Sequence, residues 1–147
     1  MDIKNLENKF KIFKESINFN YSLKKLNWFN IGGNTKIYFK PNSLNDLIKF
    51  LKLYEYNKNL FVLGAGSNVL FKDDLFDGAV IKLSKNFSRI SLLNENTIIA
   101  GSGVLDKLLS DFAMENSLSG FEFLSCIPGT IGGGIRMNSG CFDSEFK

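Results

Sequence analysis

The sequence predicts an α+β fold with two lobes, and three patterns lead to this prediction. Over residues 35–83, strand-like apolar runs flank one amphipathic segment, which is typical of a β-α-β unit. Over residues 89–113, a predicted β-hairpin is followed by a helix. One glycine-rich segment lies in each part, at 64–68 and 127–140. We expect an N-terminal helical segment at 1–25, a first lobe at 26–86 and a second at 87–147.

Size and charge narrow the classes of function. The chain has 147 residues, 44% apolar and 22% charged, which is typical of a globular protein with a real core. No apolar run approaches the roughly 18 residues of a membrane span. The N-terminus has no signal-peptide pattern, so a cytoplasmic protein without a membrane partner is expected. The net charge of +3 is not concentrated in a basic stripe, which argues against nucleic-acid binding.

The sequence contains no histidine. Neither a Ser-His-Asp or Cys-His catalytic centre nor a histidine-ligated zinc site can be built from this chain alone. Cys126 and Cys141 fit no disulfide scaffold or metal motif, and reduced thiols are expected. Asp73, Asp74 and Asp77 miss the spacing of a calcium loop and are predicted to lie in an exposed turn. We predict no metal site.

In the first half, apolar periodicity places the elements. Leu6, Phe10, Phe13 and Ile17 recur at helical spacing and predict an N-terminal helix of about three turns. Residues 35–40 alternate, which predicts a half-buried strand with Ile37 and Phe39 inward. Buried strands are predicted at 60–63 and 79–83, completing a parallel β-α-β unit.

The helix of that unit has its own start signal. Ser43 and Asp46 have the spacing of a capping box. The predicted apolar stripe of the helix that follows consists of Leu44, Leu47, Ile48 and Leu51.

In the second half, residues 94–96 predict a hairpin turn between strands at 89–93 and 97–100. Glu122 fits either a catalytic base or, more commonly, the solvent face of a strand. A helix is predicted between these elements, with one apolar face made of Leu105, Leu108, Leu109, Phe112 and Ala113.

The segment 64–68, Gly-Ala-Gly-Ser-Asn, follows a predicted buried strand. Its glycines permit close approach to a ligand, and successive backbone N–H groups in such a turn form an anion-binding nest. It is not a Rossmann loop, because Val69 occupies the third glycine position, and no Walker A or nucleophile-elbow pattern is present. A pyrophosphate is the natural ligand; a plain tight turn is the structural alternative.

The segment 127–140 contains three consecutive glycines, 132–134, which are unfavourable in a helix. They predict a loop that a ligand approaches closely, with a flexible loop as the alternative. Arg136 fits either a phosphate contact or a solvated surface charge. Asn138 fits either a donor to a flavin carbonyl or a turn cap. Trp28 with Phe29 fits ring stacking or, more commonly, core packing.

Five motifs in a fixed order resemble those of one family. They are Asn27-Trp28-Phe29-Asn30-Ile31-Gly32-Gly33, Gly64-Ala65-Gly66-Ser67-Asn68, Phe76-Asp77-Gly78-Ala79-Val80-Ile81, Gly101-Ser102-Gly103-Val104, and Ile127-Pro128-Gly129-Thr130-Ile131-Gly132-Gly133 with Asn138-Ser139-Gly140. Over residues 27–140 this order resembles the UDP-N-acetylenolpyruvoylglucosamine reductases, which are FAD enzymes of bacterial cell-wall synthesis.

The resemblance implies a truncated two-lobed FAD-binding domain of the vanillyl-alcohol-oxidase (PCMH) type, with a small βαβ lobe followed by a mixed sheet and helix lobe. It implies non-covalent FAD reduced by NADPH, and hydride transfer to the substrate, UDP-N-acetylglucosamine enolpyruvate. The turn at 64–68 and the segment at 128–133 would hold the pyrophosphate. The implied cofactor-binding residues are Ile31, Gly32, Gly64, Ala65, Gly66, Ser67, Asn68, Pro128, Gly129, Thr130, Gly132, Gly133, Asn138 and Gly140.

The resemblance also implies what this chain lacks. The family continues into a substrate domain with a catalytic arginine, a proton-donating serine and a late glutamate, so no catalytic residue is assigned within residues 1–147. The chain alone is expected to bind FAD weakly at best and to be inactive. Trp28 stands where Thr is more usual, and residues 141–143 stand where Ala-Tyr-Gly is more usual.

Two alternatives remain open at this stage. The first is the FAD-binding part of a 2-hydroxy-acid or aldehyde dehydrogenase that shares the fold. The second is a non-catalytic remnant that keeps some affinity for nucleotides.

Overall fold

The computed structural model describes residues 3–54 and 59–147. Residues 1 and 2 of the expected N-terminal segment therefore lie outside the described residues. The chain divides into two compact units, Met1–Ser84 and Lys85–Lys147, here called unit 1 and unit 2. The division lies two residues before the predicted start of the second lobe.

The described residues of unit 1 form a four-stranded sheet and two α-helices. In chain order these are α1 (Ile3–Lys9), β1 (Ile17–Ser22), β2 (Asn34–Phe39), α2 (Leu44–Tyr54), β3 (Leu60–Leu63) and β4 (Phe76–Lys82). The strand order is β1-β2-β4-β3, with β1 antiparallel to β2 and the other neighbours parallel. The predicted parallel β-α-β unit is present as β2-α2-β3. Because β4 lies between its two strands, β2 and β3 are not neighbours.

The N-terminal helix is shorter than predicted. Helix α1 ends at Lys9, a 3-10 turn follows at Lys11–Phe13, and Ile17 begins β1. The predicted helix through Ile17 is therefore wrong, because Ile17 pairs with Phe39 at the free edge of β2. That pairing satisfies backbone groups which a helix would have satisfied internally.

An aromatic cluster fills one side of the sheet in unit 1. The rings of Phe39 and Phe50 stack with centroids 4.2 Å apart, and Phe10 lies 5.2 Å from Phe50. Phe13 and Tyr54 complete the cluster. Burial of each such side chain stabilises the fold by about 1.5–3 kcal/mol.

This cluster sets the orientation of α2. The helix start predicted from the Ser43–Asp46 spacing is confirmed, because the N–H of Asp46 donates to Ser43 Oγ at 3.1 Å. The predicted apolar stripe is only partly correct. Leu44 and Ile48 are exposed, whereas Phe50 and Tyr54 are buried, since the larger aromatic rings make the contact with Phe39 and Phe10.

Two strand predictions also change. β3 was predicted to be buried but forms an edge of the sheet, where Leu60 and Val62 are exposed. The strand at 35–40 was predicted to be half-buried, yet Tyr38 on its expected outer face is also buried. It stacks on Tyr21 with ring centroids 4.4 Å apart. A second cluster therefore covers the other face of the sheet.

Unit 2 contains two hairpins and two α-helices. They are β5 (Ile90–Asn94), β6 (Thr97–Ala100), α3 (Asp106–Glu115), α4 (Ile131–Met137), β7 (Gly140–Cys141) and β8 (Ser144–Glu145). The predicted hairpin of β5 and β6 is confirmed. Glu122 begins a 3-10 helix, Glu122–Cys126, and the strand predicted there is wrong.

The buried face of α3 also differs from the predicted face. Leu109 and Ala113 are buried as expected, but Leu105 and Leu108 are exposed. Asp106 is fully buried instead. The close approach of residues 127–131 to the start of α3 accounts for this difference, because the N–H of Asp106 donates to the carbonyl oxygen of Gly129 at 3.2 Å.

Three further findings concern membrane-spanning helices, metal-binding groups and the positions of Asp73, Asp74 and Asp77. Among the described residues, no helix is long and apolar enough to span a membrane, and no group of three or more His, Cys, Asp or Glu side chains is placed to hold a metal ion. Asp73 and Asp74 lie in an exposed bend, whereas Asp77 lies in β4, not in the predicted turn. Its carboxylate forms an ion pair with Lys36 at 2.6 Å.

Candidate functional site

The turn at residues 64–68, here called the glycine turn, follows β3 directly. Gly66 is buried with φ +83°, and a Cβ at this position would overlap the carbonyl oxygen of Leu26. The N–H of Trp28 donates to the carbonyl oxygen of Gly66 at 3.1 Å. Gly66 is therefore required by its contact with residues 26–28 as well as by its backbone conformation.

The backbone of the glycine turn is suited to an anion. Within the described part of the chain, the N–H groups of residues 65–68 donate no hydrogen bond. Ser67 is half-buried and Asn68 is exposed. Unpaired N–H groups in a tight turn form the nest that binds phosphates. The turn therefore fits the diphosphate group of a dinucleotide.

Asn27 organises the segment beside the glycine turn. It is buried, and its Nδ2 donates to the carbonyl oxygens of Leu23 at 3.0 Å and Ile31 at 2.8 Å. Its Oδ1 accepts from the N–H of Phe29 at 3.1 Å. Asn27 belongs to the first of the five sequence motifs, but no role was predicted for it. The signal that could have identified it is a polar residue between two apolar stretches.

Two of the expected cofactor-binding residues lie at the end of this segment. Ile31 is exposed, whereas Gly32 is buried with φ +124°, and a Cβ on Gly32 would lie 2.6 Å from Phe71 Cβ. Trp28 and Phe29 are 62% and 61% exposed, so the prediction that they pack in the core is wrong. The contact of Trp28 with Gly66 through the backbone leaves both rings at the surface.

In unit 2, the expected pyrophosphate segment is partly helical. Thr130 caps α4, and its Oγ1 accepts from the N–H of Gly133 at 3.3 Å. The N–H groups of Ile131 and Gly132 donate to the carbonyl oxygens of Val104 and Ser102, each at 2.9 Å. Residues 128–133 were predicted to form a loop, but α4 begins at Ile131, so the prediction is wrong from Ile131 onward. The two hydrogen bonds join the start of α4 to residues 102–104.

The three consecutive glycines have separate structural roles. A Cβ on Gly134 would enter the ring of Phe146, and one on Gly132 would lie 3.0 Å from Ser102 Cβ. A Cβ on Gly133 would meet only Thr130 Oγ1, at 3.2 Å. Packing within unit 2 explains two glycines, while Gly133 leaves an accessible backbone face. The packing at Gly132 and Gly134 compensates for the unfavourable helix propensity of these two glycines.

The residues before α4 keep unpaired donors. Among the described residues, the N–H groups of Gly129 and Thr130 donate no hydrogen bond. Pro128 is exposed beside them. This part of unit 2 therefore fits a phosphate or a flavin carbonyl group better than the first turn of α4 does.

Asp106 lies beneath this segment, and the sequence interpretation missed it. Its residue exposure is 0%, and neither carboxylate oxygen has a hydrogen-bond partner in the described part of the chain. A Cβ on Gly129 would overlap Asp106 Oδ2. Burial raises the pKa of the Asp106 carboxyl to about 6. The available signal was a carboxylate inside the apolar stripe of a predicted helix.

The remaining expected residues lie at the end of α4. Asn138 has φ +48° and ends the helix, and its Nδ2 donates to Glu145 Oε2 at 2.8 Å. Gly140 pairs with Glu145 in the β7–β8 hairpin. Arg136 is exposed on α4. In this structure Asn138 ends α4 through its left-handed backbone, and its side chain contacts Glu145.

The two thiols are neighbours in unit 2. Cys126 and Cys141 are both free cysteines. The pKa of the Cys126 thiol is raised, mainly by a hydrogen bond with the Cys141 thiol and to a smaller extent by burial. Cys126 Sγ also donates to the carbonyl oxygen of Phe123 at 3.1 Å.

Most of the chain matches one known protein family. Residues 35–147 match the FAD binding domain family. The chain belongs to that family. It is 64% identical over 131 residues to the UDP-N-acetylenolpyruvoylglucosamine reductase of Pelagibacter ubique strain HTCC1062, covering 89% of this chain and 43% of that protein. The enzyme of the same name from Rickettsia felis is 48% identical over 127 residues, covering 86% of this chain and 43% of that protein.

Solved structures agree with the assigned fold of this FAD binding domain. The crystal structure of UDP-N-acetylenolpyruvylglucosamine reductase from Thermus caldophilus has a TM-score of 0.69 and 28% identity, covering 88% of this chain and 44% of that chain. Alkyldihydroxyacetonephosphate synthase, at 17% identity, shares the fold with a TM-score of 0.59, covering 95% of this chain and 33% of that chain. The predicted α+β flavin domain of the vanillyl-alcohol-oxidase type and the resemblance drawn from the five motifs are confirmed.

The FAD binding domain spans less than half the length of the curated relatives that it matches. FAD is the cofactor of the family. Among the described residues, the glycine turn and residues 129–130 both have backbone N–H groups without a hydrogen-bond partner.

Proposed function

We propose that this chain is the flavin-binding part of an enzyme that reduces UDP-N-acetylglucosamine enolpyruvate to UDP-N-acetylmuramate, with NADPH as the reductant. The observation that carries the proposal is 64% identity with a reductase of that name over most of this chain. In this proposal the protein acts in the cytoplasm, in the synthesis of peptidoglycan for cell shape and division. Its partner is the small UDP-sugar substrate, and neither nucleic acid nor membrane takes part.

The proposed FAD contacts are divided between the two flavin-binding lobes. In the first lobe, the glycine turn donates backbone hydrogen bonds to phosphate oxygens, while Ile31 and Gly32 contribute backbone groups nearby. The unpaired N–H groups of residues 65–68 support this assignment. In the second lobe, the contacts come from Pro128, Gly129, Thr130, Gly132, Gly133, Asn138 and Gly140. The unpaired N–H groups of Gly129 and Thr130 are the strongest support in that unit.

The residues of this chain bind and orient the cofactor. Bound FAD supplies hydride transfer, which none of the side chains of this chain can perform. The binding is non-covalent. No catalytic residue is proposed within residues 1–147, and the substrate-binding and proton-donating groups are assigned to the substrate domain of the complete enzyme.

The test is an assay of the complete gene product that contains this chain. We expect oxidation of NADPH that depends on the enolpyruvyl substrate and yields UDP-N-acetylmuramate. Oxidation of a 2-hydroxy acid or an aldehyde by the same protein, without reduction of the enolpyruvyl substrate, would reject the proposal in favour of a dehydrogenase.

A further inference from the structure

Three parallel strands of unit 1 end at the same edge of the sheet. Phe39 of β2 pairs with Ile81 of β4, and Leu63 of β3 pairs with Lys82 of β4. Lys40 directly follows β2, and the glycine turn directly follows β3. Lys40, Lys82 and the start of the glycine turn therefore lie at one edge. Open parallel sheets bind their ligands outside this carboxyl edge.

Lys40 and Lys82 also lie on the same face of the sheet. Side chains alternate along a strand, so each lysine shares a face with the residue two positions earlier. Those residues, Tyr38 and Val80, pair with each other and belong to the same buried cluster. Val69, just after the glycine turn, packs onto that cluster as well. The turn and the two lysines are thus on one side of the sheet.

Among the described residues, the two lysines lack a counter-ion. Lys82 is half-buried, and its pKa is lowered by burial and, to a smaller extent, by the positive charge of Lys40. Neither lysine forms an ion pair within residues 3–54 and 59–147. Two like charges held close together repel each other, and an anion beside them removes that repulsion.

We infer that Lys40 and Lys82, together with the unpaired N–H groups of the glycine turn, form a diphosphate-binding site. Each ammonium group neutralises one phosphate charge, and the turn donates hydrogen bonds to the remaining oxygens. The inference rests on the proposed function only for the source of the anion, which is the diphosphate of FAD. Both lysines bind the anion through charge, so salt weakens the interaction.

The test compares three lysine-to-methionine variants of the complete gene product that contains this chain, because Met keeps an apolar stem and removes the charge. K40M and K82M alter the site. K49M is the matched control, since Lys49 is exposed on α2, which packs on the opposite face of the sheet. Two measurements are made on each: the melting temperature with and without inorganic pyrophosphate, and the FAD dissociation constant from flavin fluorescence.

Pyrophosphate should raise the melting temperature of the unmodified chain and of K49M. The rise should vanish in K82M and shrink in K40M. FAD affinity should fall by about tenfold or more in K82M, as expected for loss of a hydrogen bond between charged groups. K82M without ligand should melt no lower than the unmodified chain, because the variant removes a repulsion.

The outcomes separate this inference from the proposed function. Equal FAD affinity in all variants, with pyrophosphate protection unchanged, overturns the inference and leaves the proposed function standing. Pyrophosphate protection that depends on Lys82, with no FAD binding, supports the inference and rejects the proposed flavin contacts. Absence of pyrophosphate protection in the unmodified chain overturns the inference.

Discussion

The carboxylate of Asp106 lies directly against the backbone of Gly129, fully buried and without a hydrogen-bond partner among the described residues. The N–H of Asp106 donates a hydrogen bond to the carbonyl oxygen of Gly129 at 3.2 Å. A buried carboxylate without a donor is unfavourable when ionised, which is why its pKa rises to about 6. The segment proposed to bind flavin in unit 2 is therefore anchored on a group that titrates.

This arrangement predicts a pH dependence of stability in unit 2. The folded-state pKa of about 6 lies above the ordinary value of 3.8, so the folded state binds more protons than the unfolded state between these values. The contribution of Asp106 to stability is therefore largest below a pH of about 3.8 and is lost as pH rises to about 6. The loss is on the order of 3 kcal/mol. The D106N variant, which cannot ionise, should lose this dependence.

Hydrogen exchange of the amides of residues 104–134, followed by mass spectrometry, measures the effect. The unmodified chain and D106N are compared at each pH, which cancels the intrinsic pH dependence of exchange. Parallel pH profiles for the two proteins would show that Asp106 is not the group responsible.

Gly66→Ala should destabilise unit 1 strongly. Its Cβ would overlap the carbonyl oxygen of Leu26, and φ is +83°, so we expect a loss of about 2–4 kcal/mol. Gly120→Ala is the matched control for conformation, because Gly120 has φ +93° and no atom within 4 Å of a built Cβ. It should cost only about 1 kcal/mol. Urea denaturation, followed by Trp28 fluorescence for G66A and by far-UV circular dichroism for both, measures the difference, and equal costs would refute the proposed role of the overlap.

Two of the three glycines of α4 should respond differently to alanine. Gly134→Ala should destabilise unit 2, because the new methyl group enters the ring of Phe146, and a second change, Phe146→Leu, should restore part of the loss. Gly133→Ala should leave stability unchanged or raise it by up to about 1 kcal/mol. It should nevertheless weaken FAD binding, since it covers the accessible backbone face. Thermal denaturation and FAD titration of the two variants separate packing from binding; equal destabilisation by both would contradict the assignment.

Asn27→Ala should loosen the segment beside the glycine turn. It removes three hydrogen bonds to backbone groups, and we expect a loss on the order of 2–3 kcal/mol because the side chain is buried. Asn30→Ala removes one exposed hydrogen bond of 3.3 Å and places Ala at a left-handed φ of 55°, so it should cost about 1 kcal/mol. The urea midpoints of the two variants provide the comparison. A similar small effect for both would mean that Asn27 does not organise the segment.

Local signals predicted much of this fold. The helix start at Ser43–Asp46 and the β5–β6 hairpin were visible because each depends on residues close together in sequence. The strand at Ile17 was not, because it depends on pairing with Phe39, twenty-two positions away. The buried face of α2 was misplaced for a similar reason: Phe39 and Phe10, from other elements, select Phe50 and Tyr54.

In the candidate site, too, local signals were visible in the sequence, whereas contacts between residues distant in sequence were not. The glycine patterns predicted close approach by a ligand, whereas the atoms that approach Gly66, Gly132 and Gly134 in the structure belong to the protein. Phe146 explains Gly134, and Ser102 explains Gly132, and both lie far from these glycines in sequence. Asp106 was hidden because one carboxylate in an apolar stripe is indistinguishable from a residue at the edge of that stripe.

Flavin binding by these residues is tested most directly by the visible difference spectrum of the purified complete gene product that contains this chain, titrated with FAD. We expect a saturable shift of the flavin bands that approaches one FAD per protein molecule, with the flavin released intact by heat because the binding is non-covalent. The shift should be weaker in G133A and unchanged in K49M. A flat difference spectrum for a chain shown to be folded by circular dichroism would contradict the assignment of the flavin contacts to these residues.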